Sequence, residues 1–99
     1  MGPTLLAVLQ AVADGSAYGF DVIDETGLPS GTVYPALSRL ERDGYLKSSW
    51  ESDAAAFADG RPARRYYGVT APGAVALRDA LAHYRALLPL QPARARRTS

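Results

Sequence analysis

Apolar residues in this chain keep a helical spacing up to Gly44, alternate in two stretches between Tyr45 and Val69, and return to helical spacing after Thr70. A helical domain with a β-hairpin before its last helix accommodates that order. Leu5, Val8, Leu9 and Val12 line one face of a helix predicted over Thr4 to Asp14, which Asp14-Gly15-Ser16 ends. A short second helix follows from Tyr18 to Thr26, with Phe20, Val22 and Ile23 as apolar contacts and Gly27 as its stop. Pro29 disfavours helix at Leu28, so Leu28-Pro29-Ser30-Gly31 is a tight connection. In the third helix Val33, Ala36, Leu37 and Leu40 share a face, and Asp43-Gly44 closes it. We assign its N-cap to Thr32, which puts Pro35 in the first turn, where a missing N–H goes unnoticed. A cap at Ser30 would instead make Pro35 remove a helical bond. Two short helices separated by about five turn residues have helix-turn-helix spacing.

The strand stretches are shorter. Tyr45 to Glu51 places Leu46, Ser48 and Trp50 on one side and Tyr45, Lys47 and Ser49 on the other. Arg65 to Val69 is a second strand rich in β formers. Residues 52–64 between them are too long for a tight turn, and Asp59-Gly60-Arg61-Pro62 is the turn signal within an extended loop. Trp50 is expected in the core, and strand alternation divides Tyr66 and Tyr67 between inside and outside. Phe57 has no place in this pattern unless it folds back onto the hairpin. Thr70 then caps a last helix, with Pro72 in its first turn. Val75, Leu77, Leu81, Tyr84, Leu87 and Leu88, interspersed with alanines, make it apolar over much of its circumference, the mark of burial on more than one side. Pro89 and Pro92 end it, and the Arg-bearing stretch from Gln91 to Ser99 has nothing to bury and is expected to be disordered.

The 99 residues allow one domain, mainly α with α+β character, and a marginal core that a second subunit would strengthen. Without cysteine there is no disulfide, thiolate nucleophile or Cys-ligated zinc. No apolar run approaches the ~18 residues of a membrane span and no signal-peptide pattern opens the chain, so a soluble cytoplasmic protein is expected. Catalysis has little to work with. The single histidine, His83, sits between Ala82 and Tyr84 as a structural or surface residue. Lys47-Ser48 follows Leu46 rather than the glycine of a P-loop, and neither G-x-G-x-x-G nor G-x-S-x-G occurs. No catalytic residue, metal or cofactor is expected.

The net charge of +1 is a cancellation: residues 1–34 carry four acids and no base, residues 60–99 eight arginines against Asp79 alone. Ten of the eleven bases are arginine, whose planar fork suits phosphates and base edges. With Val33, Leu37 and Leu40 facing the core, the third helix turns Thr32, Pro35, Ser38, Arg39 and Arg42 outward, with Tyr34 at the edge. Hydroxyls, an arginine and a flat proline on one helical face suit a DNA major groove. A solvated face beside Glu41 and Asp43 is the competing interpretation of Arg39 and Arg42. An ordinary hairpin tip is that of Arg61, Arg64 and Arg65, but three arginines within five residues favour phosphate or minor-groove contact. A second class of function stays open, a winged-helix module for protein contact that docks through its last helix; the acidic first third supports it.

Helix-turn-helix, hairpin wing and long final helix make a winged helix. Gly31 to Gly44 resembles the recognition-helix signature of the PadR family of bacterial transcriptional regulators, and Gly60 to Thr70 resembles its wing and second-strand signature. Tyr18-Gly19-Phe20 is similar to the family's second-helix opening, and the resemblance covers about residues 4–88. It implies a winged helix-turn-helix DNA-binding domain over 1–69, a C-terminal dimerisation helix of the same compact unit over 70–89, and a basic tail over 90–99. It implies a homodimer with Leu77, Leu81, Tyr84, Leu87 and Leu88 between the subunits, repressing transcription from a pseudo-palindromic operator. Residues matching Thr32, Tyr34, Pro35, Ser38 and Arg39 then approach DNA, and the wing segment through Arg61, Pro62 and Arg64 touches its backbone. Some relatives bind a planar aromatic effector at the dimer interface through a Trp on the last helix, where this chain carries Tyr84. Ala54-Ala55-Ala56 is an insertion in the wing, and Gly68 stands where relatives often carry a larger residue.

Overall fold

A computed structural model describes residues 1–87, with the elements α1 (Pro3–Ala13), α2 (Gly19–Thr26), α3 (Ser30–Arg42), β1 (Leu46–Trp50), α4 (Asp53–Ala58), β2 (Arg65–Val69) and α5 (Ala71–Leu87). Helices α1, α2 and α3 close around fully buried Val8, Leu9, Val22, Val33, Leu37 and Leu40, with Leu46 of β1 and Leu77 of α5 completing the core. Each such side chain removed from water contributes about 1.5–3 kcal/mol. The stop of α2 and the cap of α5 are as the sequence indicates. Gly27 adopts the left-handed conformation at φ 72 and ends α2, and Thr70 Oγ1 accepts from the Gly73 N–H at 3.0 Å at the start of α5.

Several expectations need correction. Helix α3 begins at Ser30 with Pro29 as its N-cap, not at Thr32: the Thr32 and Val33 N–H groups donate to the Pro29 carbonyl at 2.9 and 3.0 Å. Pro35 therefore lies inside the helix and forgoes the bond to Gly31. Pro29 supplies a pre-set φ of −70 ahead of the first turn, so the helix gains one turn and gives up one bond. The wing connection is not an open loop either. Ser52 caps α4 by accepting from the Ala55 N–H at 3.1 Å, so the Ala-rich insertion is a turn and a half of helix. Phe57 on that helix does not fold back and is 86% exposed.

The two strands pair antiparallel from Leu46 opposite Val69 to Trp50 opposite Arg65. Trp50, expected in the core, is 65% exposed, because β1 runs off the body of the domain after Leu46 and Ser48. Tyr66 and Tyr67 are both half-buried rather than divided. The reason is a third strand-like contact: Tyr18 bridges Tyr66, and the Tyr67 N–H donates to the Ala17 carbonyl at 2.8 Å. Along α5, Leu77 is 9% exposed and belongs to the chain's own core, so it is not available to a second subunit. From Leu77 the same row runs outward through half-buried Leu81 and Tyr84 to Leu87, which is 60% exposed. Leu88 and the tail over 90–99 lie outside the described residues. No helix among the described residues is long and apolar enough to cross a membrane.

Candidate nucleic-acid interface

Burial of Val33, Ala36, Leu37 and Leu40 fixes the rotation of α3 about its axis. Tyr34, Pro35, Ser38, Arg39 and Arg42 consequently stand exposed, with Thr32 half-buried beside them. Arg39 donates through Nε to Asp43 at 3.2 Å, four residues on and in the open. Such exposed pairs contribute only a few tenths of a kcal/mol, so Asp43 does not commit the Arg39 guanidinium. Arg42 has no ion-pair partner among the described residues. Tyr34 leans against Gly19 at the start of α2, where any Cβ would overlap its ring.

The wing arginines, grouped by sequence, have three different environments. Arg61 grips Glu51 with two nitrogens at 2.5 and 2.8 Å and reaches Asp59 at 3.0 Å. Glu51 also accepts from the Arg64 backbone N–H at 3.1 Å and the Tyr66 hydroxyl at 3.2 Å. Arg61 thus clamps the wing shut across α4 rather than facing outward. Arg65 donates to Ser48 Oγ at 2.9 Å and to Glu41 at 3.3 Å, while Ser48 Oγ donates to Glu41 at 2.5 Å. This triad ties the wing to α3, and the Arg65 guanidinium lies 5.5 Å from the centroid of the Trp50 ring. Arg64 stacks over the Tyr18 ring at 4.1 Å and has no carboxylate partner for its guanidinium among the described residues. Pro62 is exposed. The predicted wing residues are therefore brought together, but Arg64 carries the least committed charge. Glu41, Glu51 and Tyr18, which hold this arrangement, leave no local signal: each acts on a partner ten or more residues away.

Hydrogen bonds from Arg61, opposed by partial burial and helped by the Arg64 N–H and Tyr66 hydroxyl, hold the Glu51 carboxyl at about 2 instead of 4.5. A folded-state value below the unfolded one gives stability that is present above about pH 4.5 and lost as pH falls toward about 2. Melting followed by circular dichroism is expected to fall across that window, and Glu51→Gln to flatten the fall. A variant keeping the full acid dependence would assign it to other carboxylates.

The chain matches the Transcriptional regulator PadR-like family over residues 8–79. A search of curated proteins finds no match. Among solved structures, a PadR-like transcription factor from Bacteroides fragilis is 26% identical, with 84% of this chain and 81% of that one covered and a TM-score of 0.72. A PadR family transcription regulator from Clostridium difficile R20291 shares the fold at 22% identity over 87% of this chain and 91% of that one, TM-score 0.75. BpsR from Bordetella bronchiseptica, whose DNA binding is regulated by 6-hydroxynicotinic acid, shares the fold at 17% identity and TM-score 0.68, over 88% of this chain and 57% of that one. An exposed α3 face lies beside an arginine-bearing wing on a winged helix that matches this family over most of its length: the chain belongs to the PadR-like family of transcriptional regulators.

Proposed function

We propose that the protein is a homodimeric repressor that reads a pseudo-palindromic operator through α3 and braces itself on the DNA backbone with the wing. The observation that supports it most is the exposed α3 face of Tyr34, Pro35, Ser38, Arg39 and Arg42, whose Tyr34 lines one cleft with Arg64 of the wing. In this assignment residues 1–69 bind DNA and residues 70–89 join the subunits, with Leu81, Tyr84, Leu87 and Leu88 at the contact. A gel shift against the gene's own promoter region tests it, and binding that is purely nonspecific and salt-sensitive would sink the operator. Arg39→Ala is expected to lose about 10–100-fold for the preferred sequence while sparing nonspecific binding, from the roughly 1–3 kcal/mol of one base-edge contact. Arg64→Ala should instead weaken all sequences and reduce the salt slope by about one ion. Arg61→Ala acts through the clamp: faster amide exchange in α4 and β2 is expected, with the salt slope little changed.

A planar aromatic effector at the subunit interface completes this view. It is supported by the BpsR neighbour, whose DNA binding answers to a small molecule. A thermal-shift screen with planar aromatics tests it, a flat response counting against it. One observation favours the protein-contact alternative, the 86% exposure of Phe57 on a wing helix flanked by Asp53 and Asp59. Retention on heparin that falls steeply with salt decides for DNA, and salt-insensitive capture of a protein partner decides against it.

A further inference from the structure

We propose that Glu41 determines specificity for DNA sequence: it holds Arg65 against α3 and so withholds that guanidinium from the phosphates of arbitrary DNA. Opposed residues of a β-ladder share a face, and Arg65 stands opposite Trp50. Its side chain therefore lies over the row Trp50, Ser48, Leu46, which leads from the open end of β1 back to the core. Glu41 follows buried Leu40 in the last turn of α3 and meets that row there. Arg65 Nε donates to Ser48 Oγ at 2.9 Å, its Nη2 reaches the two Glu41 oxygens at 3.3 and 3.4 Å, and the Ser48 hydroxyl donates to Glu41 at 2.5 Å. The Ser48 oxygen accepts from Arg65 while its hydrogen goes to Glu41, so the three groups form one chain. Drawing Arg65 away strands a carboxylate that is only 33% exposed.

Among the described residues this is the one ion pair that joins α3 to the wing. Arg39 has Asp43 alone, and Arg42 and Arg64 have no carboxylate partner there. Nonspecific binding grows with the number of phosphates neutralised, and each further free cation strengthens it on every sequence alike. An arginine already neutralised by a carboxylate adds little to that number. It does hold the wing at a fixed offset from α3, which a site contacted by both at once requires and arbitrary DNA does not. Glu41 thus acts through Arg65, as a positioning residue. The inference rests on the DNA-binding function proposed above.

The test titrates the full-length protein and its Glu41→Gln variant with a random-sequence duplex and with the gene's own promoter region, by fluorescence anisotropy over about 50 to 200 mM salt. Glu41→Gln should bind the random duplex about three- to tenfold more tightly at the low-salt end, with a salt slope steeper by about one ion. Its affinity for the promoter should change by less than about twofold, so preference for the promoter falls. Ser48→Ala breaks the same chain without altering charge and should move random-duplex binding in the same direction, by about twofold. In an Arg65→Gln background neither substitution should have any effect, because both act through that arginine. A general repulsion of DNA by the Glu41 carboxylate would instead persist in that background and tighten both duplexes equally. Either of those results overturns the proposal, as does an unchanged salt slope. If Glu41→Gln fails to fold, Ser48→Ala with and without Arg65→Gln decides by the same criteria. A wild-type protein without preference for the promoter overturns the operator assignment and this inference together, whereas preference that Glu41→Gln leaves intact overturns this inference alone.

Discussion

Gly73→Ala is expected to be among the most damaging single changes in this protein, although it adds one methyl group at the third residue of a helix. The new Cβ would overlap the Tyr45 carbonyl oxygen and lie 2.9 Å from its carbon, and both are backbone. Tyr45 cannot step aside. Its N–H donates to the Leu40 carbonyl at 2.9 Å and its carbonyl accepts from the Thr70 N–H at 3.1 Å. Helix α5 must therefore move out, which releases the Thr70 cap and opens the contact of Leu77 with the core. Overpacking and cap loss together cost about 3 kcal/mol or more, against a total of roughly 5–15 kcal/mol for a domain of this kind. Urea unfolding measures it. Gly68→Ala is the control, since its Cβ would meet the flexible Lys47 side chain at 3.6 and 3.9 Å, ordinary contact distances, and it should unfold like wild type. Equal midpoints for the two variants would remove the argument.

The largest functional loss is expected from Leu87→Glu. Leu87 is 60% exposed at the distal end of the α5 row, so a charge there leaves the subunit folded and its circular dichroism intact. In the proposed dimer the same charge has to be buried against a second helix. Sedimentation should change from twice the chain mass to one, and affinity for a two-half-site operator should fall about 100-fold or more as the second half-site contact ceases to be intramolecular. Leu77→Ala gives the opposite pattern: about 2–4 kcal/mol is lost from the fold, because that side chain fills the subunit's own core. A Leu87→Glu protein that still sediments as a dimer would place the subunit contact elsewhere.

These two leucines also show how much could be read from the sequence. The apolar repeat located every helix of the core and the faces of α3, because Val33, Leu37 and Leu40 leave only one rotation of that helix open. It could not divide the α5 leucines between core and partner, since that depends on where the helix leaves the body. The exposure of Trp50 has a related reason. Alternation gives the side of a strand and not how far the sheet is covered, and β1 outruns its cover after Ser48. The wing arginines were found as a cluster, but their separate tasks depend on Glu41 and Glu51, carboxylates that nothing in the local pattern distinguishes from solvated ones. Helix α4 escaped because Ser52 caps a run of alanines that, read as an insertion, carries no hydrophobic period.

Thr70 sits where three elements meet. Its hydroxyl donates to the Gly44 carbonyl at 2.7 Å, just past the end of the recognition helix, its N–H holds Tyr45 at the root of the wing, and its side chain caps α5. The direction in which α5 departs is thus set by the atoms that terminate α3. In the proposed dimer the distance between the two recognition helices, about 34 Å for half-sites one DNA turn apart, is then a property of that departure angle. Two proteins with identical α3 faces but differently angled last helices would recognise the same half-site and require a different spacer between copies.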